Sequence, residues 1–432
     1  PAEFVDPGVD LDLRQLTSLA LANSPDLVAA ETEAKVARAQ RAIVGQWRDP
    51  EFRSSFDWDD LRVTEVRDPG NNDNIRRAEG LSLSVRFYPP NPWIMRAEMY
   101  KAMAEISYAD FVYKQAGRDV INQVRQLYQE LQFLTERSRL GQGVYSLEQE
   151  EFQRLNKMLQ DGKLLRDPVD KARLRKLSKQ GLGTSDVIRI RKVRADLAAL
   201  VGIADSNRIK VQGVPNRPII GFGPGSESSL AEMAYLNDVM LNSLVRQEKL
   251  SQGDLNAFQA KKIPWLSFIN VGRDRTFRDH LAVSDNYEVG FAINVPIFTA
   301  FSKEAKIYRE QIKGYQKQAE RNRKQIERRI ASIMANIRNT RSDLERFDRE
   351  TSEIDKTFLK MESDMAAVKM PQQQSEVVHQ RRSMSLSRSR ERLAAEEAYH
   401  DAILDLEALI RADVESVFVA TAPALSEKPA AN

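Results

Sequence analysis

The chain has 432 residues, 29% of them charged, with a formal net charge of +3 and a mean hydropathy of −0.50. So small a net charge gives no electrostatic case for nucleic acid, and no stretch approaches the ~18 consecutive apolar residues of a transmembrane helix. There is no cysteine, which excludes disulfides, thiolate metal sites and cysteine nucleophiles together. Residues 1–12 are short, polar and acidic, so the chain reads either as cytosolic or as a mature form whose targeting segment has been cut.

In chain order, a helical stretch is expected over residues 13–47, with a break at Asn23-Ser24-Pro25 that places Pro25 in the first turn of the restarted helix. Phe52, Phe56 and Trp58 then alternate with Arg53, Ser55 and Asp57, which predicts a strand over 52–64. A loop rich in Gly, Asn and Asp leads to a second strand, 79–88, where Leu81, Leu83, Val85 and Phe87 share a face. Pro89, Pro90 and Pro92 end this ladder, because proline has no N–H to donate. A long helix, 93–160, follows; Val120, Val124, Leu127, Leu131 and Leu134 show the 4,3 spacing of a coiled-coil seam.

The chain turns back where Asp161-Gly162 is followed by Asp167-Pro168, a glycine stop and then an acidic cap with proline. A rival turn at Gly181 through Asp186 has good turn chemistry but leaves a much shorter return helix than the second half of the chain has. The expected return helix is 168–202, and residues 203–229 read as an irregular linker.

The pattern then repeats. A helix is expected over 230–262 and strands over 265–274 and 285–295, with Val289, Phe291, Ile293 and Val295 on one face. A long helix follows over 299–368, then a return helix over 375–418 and a loose tail over 421–432. Ala97 and Tyr100 recur as Ala305 and Tyr308. The 4,3 spacing after Phe301 holds over roughly nine heptads, so this helix must pack along others for its whole length. Residues 1–229 and 230–432 are accordingly two copies of one helix-strand-strand-helix-helix unit, and duplication fixes the architecture more firmly than any single motif.

The layout resembles that of the TolC-like outer-membrane efflux protein family. The residues that carry the resemblance are the leading LTSLALANSPDLVAAETEAKVARAQ, the NVPIF strand-to-helix turn with EAKIY after it, the two tips and the LAALVG close. The resemblance implies a mainly α fold with a small β part, whose long helices form an α-barrel tunnel. Each of three chains would give four strands to a shared 12-stranded β-barrel; four strands alone cannot close a barrel of useful bore. It further implies a passive exit duct for efflux or type I secretion in the outer membrane and periplasm of a Gram-negative bacterium. Its partners would be outer-membrane lipid, a periplasmic adaptor (membrane fusion protein) and an inner-membrane transporter.

The family's adaptor contacts fall here on Gly162, Leu164, Leu165 and Asp167 in copy one and on Met370, Pro371, Ser375 and Glu376 in copy two. The acidic pair that rings the family's closed entrance is matched only by Glu376, with His379 in the second place. The strand residues Phe52, Phe56, Trp58, Leu81, Leu83, Val85, Phe87, Val289, Phe291, Ile293 and Val295 are the expected lipid or packing face. Arg53, Asp57, Arg86 and Arg273 lie in or beside short apolar cores, so a coiled-coil scaffold or envelope spacer with a barrel that does not fully span the membrane is the alternative.

No enzyme is expected, since no nucleophile, base and orienting group converge in the sequence. No cofactor, metal or nucleic acid is expected either. His280, His379 and His400 are widely separated. Gly221 to Ser226 lacks the lysine of a phosphate loop, and acidic residues interleave with the basic runs at Arg321–Arg329 and Arg381–Arg392.

Overall fold

The computed structural model describes residues 11–61, 76–181, 184–211, 213, 220, 222–223, 225–278, 281–297, 303–368 and 371–414. In chain order the elements are α1 (Leu13–Asn23), α2 (Pro25–Ile43), β1 (Glu51–Leu61), β2 (Arg76–Phe87), α3 (Pro92–Gln160), α4 (Arg166–Lys179) and α5 (Thr184–Val201). After a 3-10 turn at Ser206–Arg208 come α6 (Ser226–Asn237), α7 (Val239–Ala260), β3 (Trp265–Arg278), β4 (Leu281–Asn294), α8 (Glu304–Val368) and α9 (Pro371–Ile410).

Two compact units result, one of residues 1–31, 111–241 and 321–432, the other of residues 32–110 and 242–320. Each draws on both sequence copies; in the sheet the copies join where β2 pairs with β3.

The second unit holds the sheet. Its order is β1-β2-β3-β4, antiparallel throughout. At its helical end Trp93 and Trp265 meet edge to face, with ring centroids 5.3 Å apart, and Phe258 packs near Tyr308. Lys101 reaches Asp254 at 3.0 Å and Arg246 grips Glu105 with two hydrogen bonds, linking α3 to α7.

The first unit is helical. Its largest core joins Leu11, Leu16 and Ala20 to Val120, Val124, Leu131 and Leu134 of α3 and to Val193, Leu197 and Val201 of α5. Each such fully buried aliphatic side chain contributes about 1.5–3 kcal/mol. Along α8 the buried row is Ile326, Ile330, Met334, Ile337 and Leu344.

Several expected boundaries are corrected. The stretch 13–47 parts into two helices at Ser24, as the Asn23-Ser24-Pro25 break predicts, with Ser24 Oγ accepting from Leu27 N at 3.3 Å. It stops at Ile43, since Gly45 takes φ +82°, outside the helical region. The return helix 168–202 is likewise two helices, α4 and α5, interrupted around Gln180–Gly181.

The stretch called linker already contains the start of α6 at Ser226, after Gly225 at φ +88°. Two of its described residues are anchored: Ile209 is buried in the large core, and Ile220 N donates to the Tyr399 hydroxyl at 2.9 Å. The helix placed at 230–262 breaks at Asp238, whose carboxylate caps Leu241 N at 2.6 Å. The last return helix starts earlier than 375, at Pro371, and ends at Ile410, where Arg411 adopts φ +51°. Residues 62–64, 299–302 and 421–432 of the expected elements, and His280, lie outside the described residues.

The strands differ too. Those expected at 265–274 and 285–295 run on to Arg278 and back from Leu281, and the strand expected at 79–88 starts at Arg76. Ladder hydrogen bonds persist where apolar alternation has faded, because they involve the backbone alone.

Candidate functional site: a helical hairpin turn and a two-faced sheet

The turn between α3 and α4 is built by one glycine. Gly162 takes φ +72°, its N–H donates to Leu159 O at 3.0 Å, and Lys163 N donates to Met158 O at 2.9 Å. These are the paired bonds of a Schellman stop, which satisfy the last carbonyls of α3. The chain therefore turns here and not at Gly181.

Past the turn, Leu164 and Leu165 part company. Leu164 packs against Leu155, Val169 and Ala172 and staples α4 to α3. Leu165 is the N-cap residue of α4, makes no side-chain cap bond, and is 80% exposed. Asp167 lies in the first turn, favourable for the helix dipole, and pairs with Lys171 at 2.7 Å.

At the second turn Pro371 opens α9 and Ser375 falls in its early turns; Met370 lies outside the described residues. Glu376 is exposed while His379 is buried. α9 turns His379 inward onto α3, where its Nε2 stands 3.6 Å from Glu148 Oε2. Ser383 donates to Glu148 Oε1 at 3.0 Å, and Arg175 of α4 stands 3.7 Å from the same carboxylate.

Nearby, burial pushes the Glu151 carboxyl up, but two 2.8 Å bonds from Arg154, with the charges of Arg154, His379 and Arg175, hold it below the usual range. A second buried network joins α3, α5 and α9: Arg137 donates to Asp186 and to Glu397, each at 3.0 Å.

These buried charges were missed in the sequence, although the seam gave a signal. Counting 4,3 onward from Leu134 lands on Ser138 and, after Gly141 and Tyr145, on Glu148, polar residues in core places.

In the sheet, pairing aligns side chains in rows across the strands. One row is Phe87, Ile269 and Phe291; the next is Phe52, Val85, Val271 and Val289; the next is Ser54, Leu83, Arg273 and Tyr287. Phe56 and Leu81 pair beyond these, and Trp58 is in register with Glu79. Ile293 pairs with Leu266, and Val295 lies just past β4.

Much of this face is bare. Phe52 and Tyr287 are 78% exposed, and Val289 and Phe291 71%. The opposite face carries Arg53, Ser84, Gly272 and Glu288 in one row, and Glu51, Arg86, Asn270 and Gly290 in another. There Arg86 stacks 3.9 Å over the Phe268 ring, and Tyr88 hydrogen-bonds Glu51. A β3 bulge between Leu266 and Phe268 turns that ring to the polar side.

No family model and no curated protein matches the sequence. Solved structures do match. CusC, in a study of folding and transmembrane channel formation, aligns over 94% of this chain and 98% of its own at 13% identity, with a TM-score of 0.64. The outer membrane protein VceC of Vibrio cholerae aligns over 91% and 96% at 16% identity, TM-score 0.59. The open state of the MtrE outer membrane channel of Neisseria gonorrhoeae aligns over 95% and 94% at 14% identity, TM-score 0.57. The fold is the TolC-like fold. Within it, the Gly162 turn and the two-faced sheet are two features of this chain that carry exposed apolar surface.

Proposed function

We propose that the chain is one protomer of a trimeric outer-membrane conduit, a passive exit duct for efflux or secretion. The observation that carries this reading is the sheet: four antiparallel strands with an apolar face left bare, a polar face behind it, and β1 and β4 each paired on one side only among the described residues. An open edge and a bare apolar face are both unfavourable in water. Closure with the sheets of two further copies, with lipid outside and water inside, satisfies both.

The strands have 11, 12, 14 and 14 residues, against the ~9–11 needed to cross hydrocarbon, which favours a spanning barrel over a spacer. No described helix is long and apolar enough to cross a membrane, so the sheet is the membrane element. Several structural neighbours are outer membrane channels, OprN, CmeC and MtrE among them, which supports the same reading.

The hairpin turns serve as the docking points for a periplasmic adaptor that couples the duct to an inner-membrane transporter. Leu165 supplies the exposed apolar contact, with Gly162, Asp167, Pro371, Ser375 and Glu376 around the two turns. Leu164 is assigned to the staple. The duct needs no catalytic group: the transporter supplies the energy.

Planar-bilayer recording tests the channel. The purified protein inserts and gives discrete conductance steps; a protein that inserts stably and conducts nothing contradicts a duct and favours the spacer.

A further inference from the structure

Above the apolar rows the lipid-side face of the sheet changes character on β3 and β4. Arg275 pairs in register with Asp285, and Arg273 with Tyr287, two rows nearer the β3–β4 connection than Val271 and Val289. Arg273 donates from Nε and Nη2 to both oxygens of Asp285, at 2.8 and 2.5 Å. Arg275 shares the same carboxylate only loosely: its Nη2 is 3.5 Å from Oδ2, and its Nε is buried without an acceptor.

Two guanidinium groups thus face one carboxylate, leaving one positive charge within this cluster, next to the apolar row of Val271 and Val289. In the same row β1 and β2 carry Phe56 and Leu81. Arg273 lies over the Tyr287 ring at 5.6 Å and Arg275 over Phe277 at 5.7 Å. Their side chains remain 48% and 43% exposed.

A charge on a lipid-facing strand is costly at the bilayer midplane and cheap at the interface, where aromatic rings also gather. The cluster therefore marks headgroup depth on the side of the strand connections. A fixed, half-satisfied guanidinium at that depth matches a phosphate, which accepts two parallel N–H bonds from one arginine.

We propose that Arg275, beside the Arg273–Asp285 pair and over the Phe277 ring, binds the phosphate of a membrane-lipid headgroup, once per protomer around the barrel. This rests on the reading of the sheet as part of a membrane barrel. Charge complementarity selects the occupant: the surplus is positive, and the apolar rows beneath receive acyl chains.

Native mass spectrometry of the detergent-solubilised protein tests it, with phosphatidic acid and diacylglycerol of the same chains as probes. The wild type retains phosphatidic acid about tenfold more than diacylglycerol, and R275Q loses most of that preference. R275K keeps part of it as a point charge, and D285N, with both guanidinium groups intact, retains at least as much as wild type. Equal retention by wild type and R275Q in an intact trimer overturns this proposal and leaves the barrel standing. So does displacement by inorganic phosphate at the concentration of the lipid, which assigns the site to a free anion. A wild-type protein that forms no membrane-inserted oligomer fails the barrel reading itself and this site with it. If R275Q does not assemble, a D285N protein that retains less than wild type is the overturning result.

Discussion

Asn23 closes onto Val201: its Nδ2 donates to the Val201 carbonyl at 2.7 Å, and Asn237 makes the matching bond to the Ile410 carbonyl at 2.8 Å. In both copies the asparagine ends the leading helix and the next residue, Ser24 or Asp238, caps the helix after it. One side chain thus ties the start of each copy to the end of its return helix, at a carbonyl that helix geometry leaves orphaned. Gly202, at φ +78°, brings the backbone close: a Cβ there would meet Asn23 Nδ2 at 3.0 Å.

Two substitutions follow from that contact. Asn23→Ala strands the Val201 carbonyl and is expected to destabilise the protein by about 1–2 kcal/mol. Gly202→Ala adds left-handed strain of about 1 kcal/mol or more and crowds Asn23. Both are read as loss of denaturant midpoint. Unchanged midpoints would show that the closure is ornamental.

The hairpin turn separates two roles. Leu165→Asp is expected to leave the melting temperature near wild type and to abolish adaptor capture and export. Leu164→Asp is expected to lower stability by about 2–3 kcal/mol, because a carboxylate replaces a packed leucine. Loss of stability in both variants would mean that Leu165 is also a packing residue. Intact export in Leu165→Asp would move the docking point elsewhere.

Asp401 gives a pH dependence. Asp401 is exposed at the surface, but partial desolvation by its neighbours, then the carboxylates Glu397, Asp405 and Glu130, push it up to about 6, against the opposing charge of Arg189. The folded state therefore holds this proton more tightly than the unfolded chain, whose value is 3.8. Stability from this group is present at low pH and is lost as pH rises through that window toward 6. Asp401→Asn should raise the melting temperature at pH 7.5 and leave it nearly unchanged at pH 4. An equal gain at both pH values would remove the cause from this carboxyl.

The sheet makes a prediction about faces. Phe291→Asp, in the apolar rows, should impair membrane assembly by on the order of 2 kcal/mol, whereas Ala292→Asp, on the polar face beside Phe268, should be tolerated. Yields of assembled protein from the two variants decide it, and equal damage would mean that the faces are not divided between lipid and water.

What the sequence shows of this molecule depends on how local each cause is. Pro92 and Gly162 bound α3 in plain sight, since proline at a first turn and glycine at a stop act within a few residues. The break between α4 and α5 is hidden because α4 has little amphipathic pattern: Leu174 and Leu177 point outward among basic residues, and only Val169 and Ala172 are buried. The ends of β3 and β4 are obscured for a related reason. Arg273, Arg275 and Asp285 occupy outer-face places and interrupt the apolar alternation while the ladder continues. His379 and Glu148 could not be paired from sequence, since α4 to α7, β3, β4 and α8 all lie between α3 and α9 in the chain. The asparagine closures were legible in principle, as Asn23-Ser24 and Asn237-Asp238 before a helix in each copy.

The central claim is that three copies share one barrel, and the mass of the purified particle tests it most directly. Each chain is 49.2 kDa, so light scattering corrected for detergent should give about 150 kDa of protein, unchanged on dilution because opening the barrel exposes strand edges. A monodisperse particle with the mass of a single chain would contradict the shared barrel, and with it the conduit.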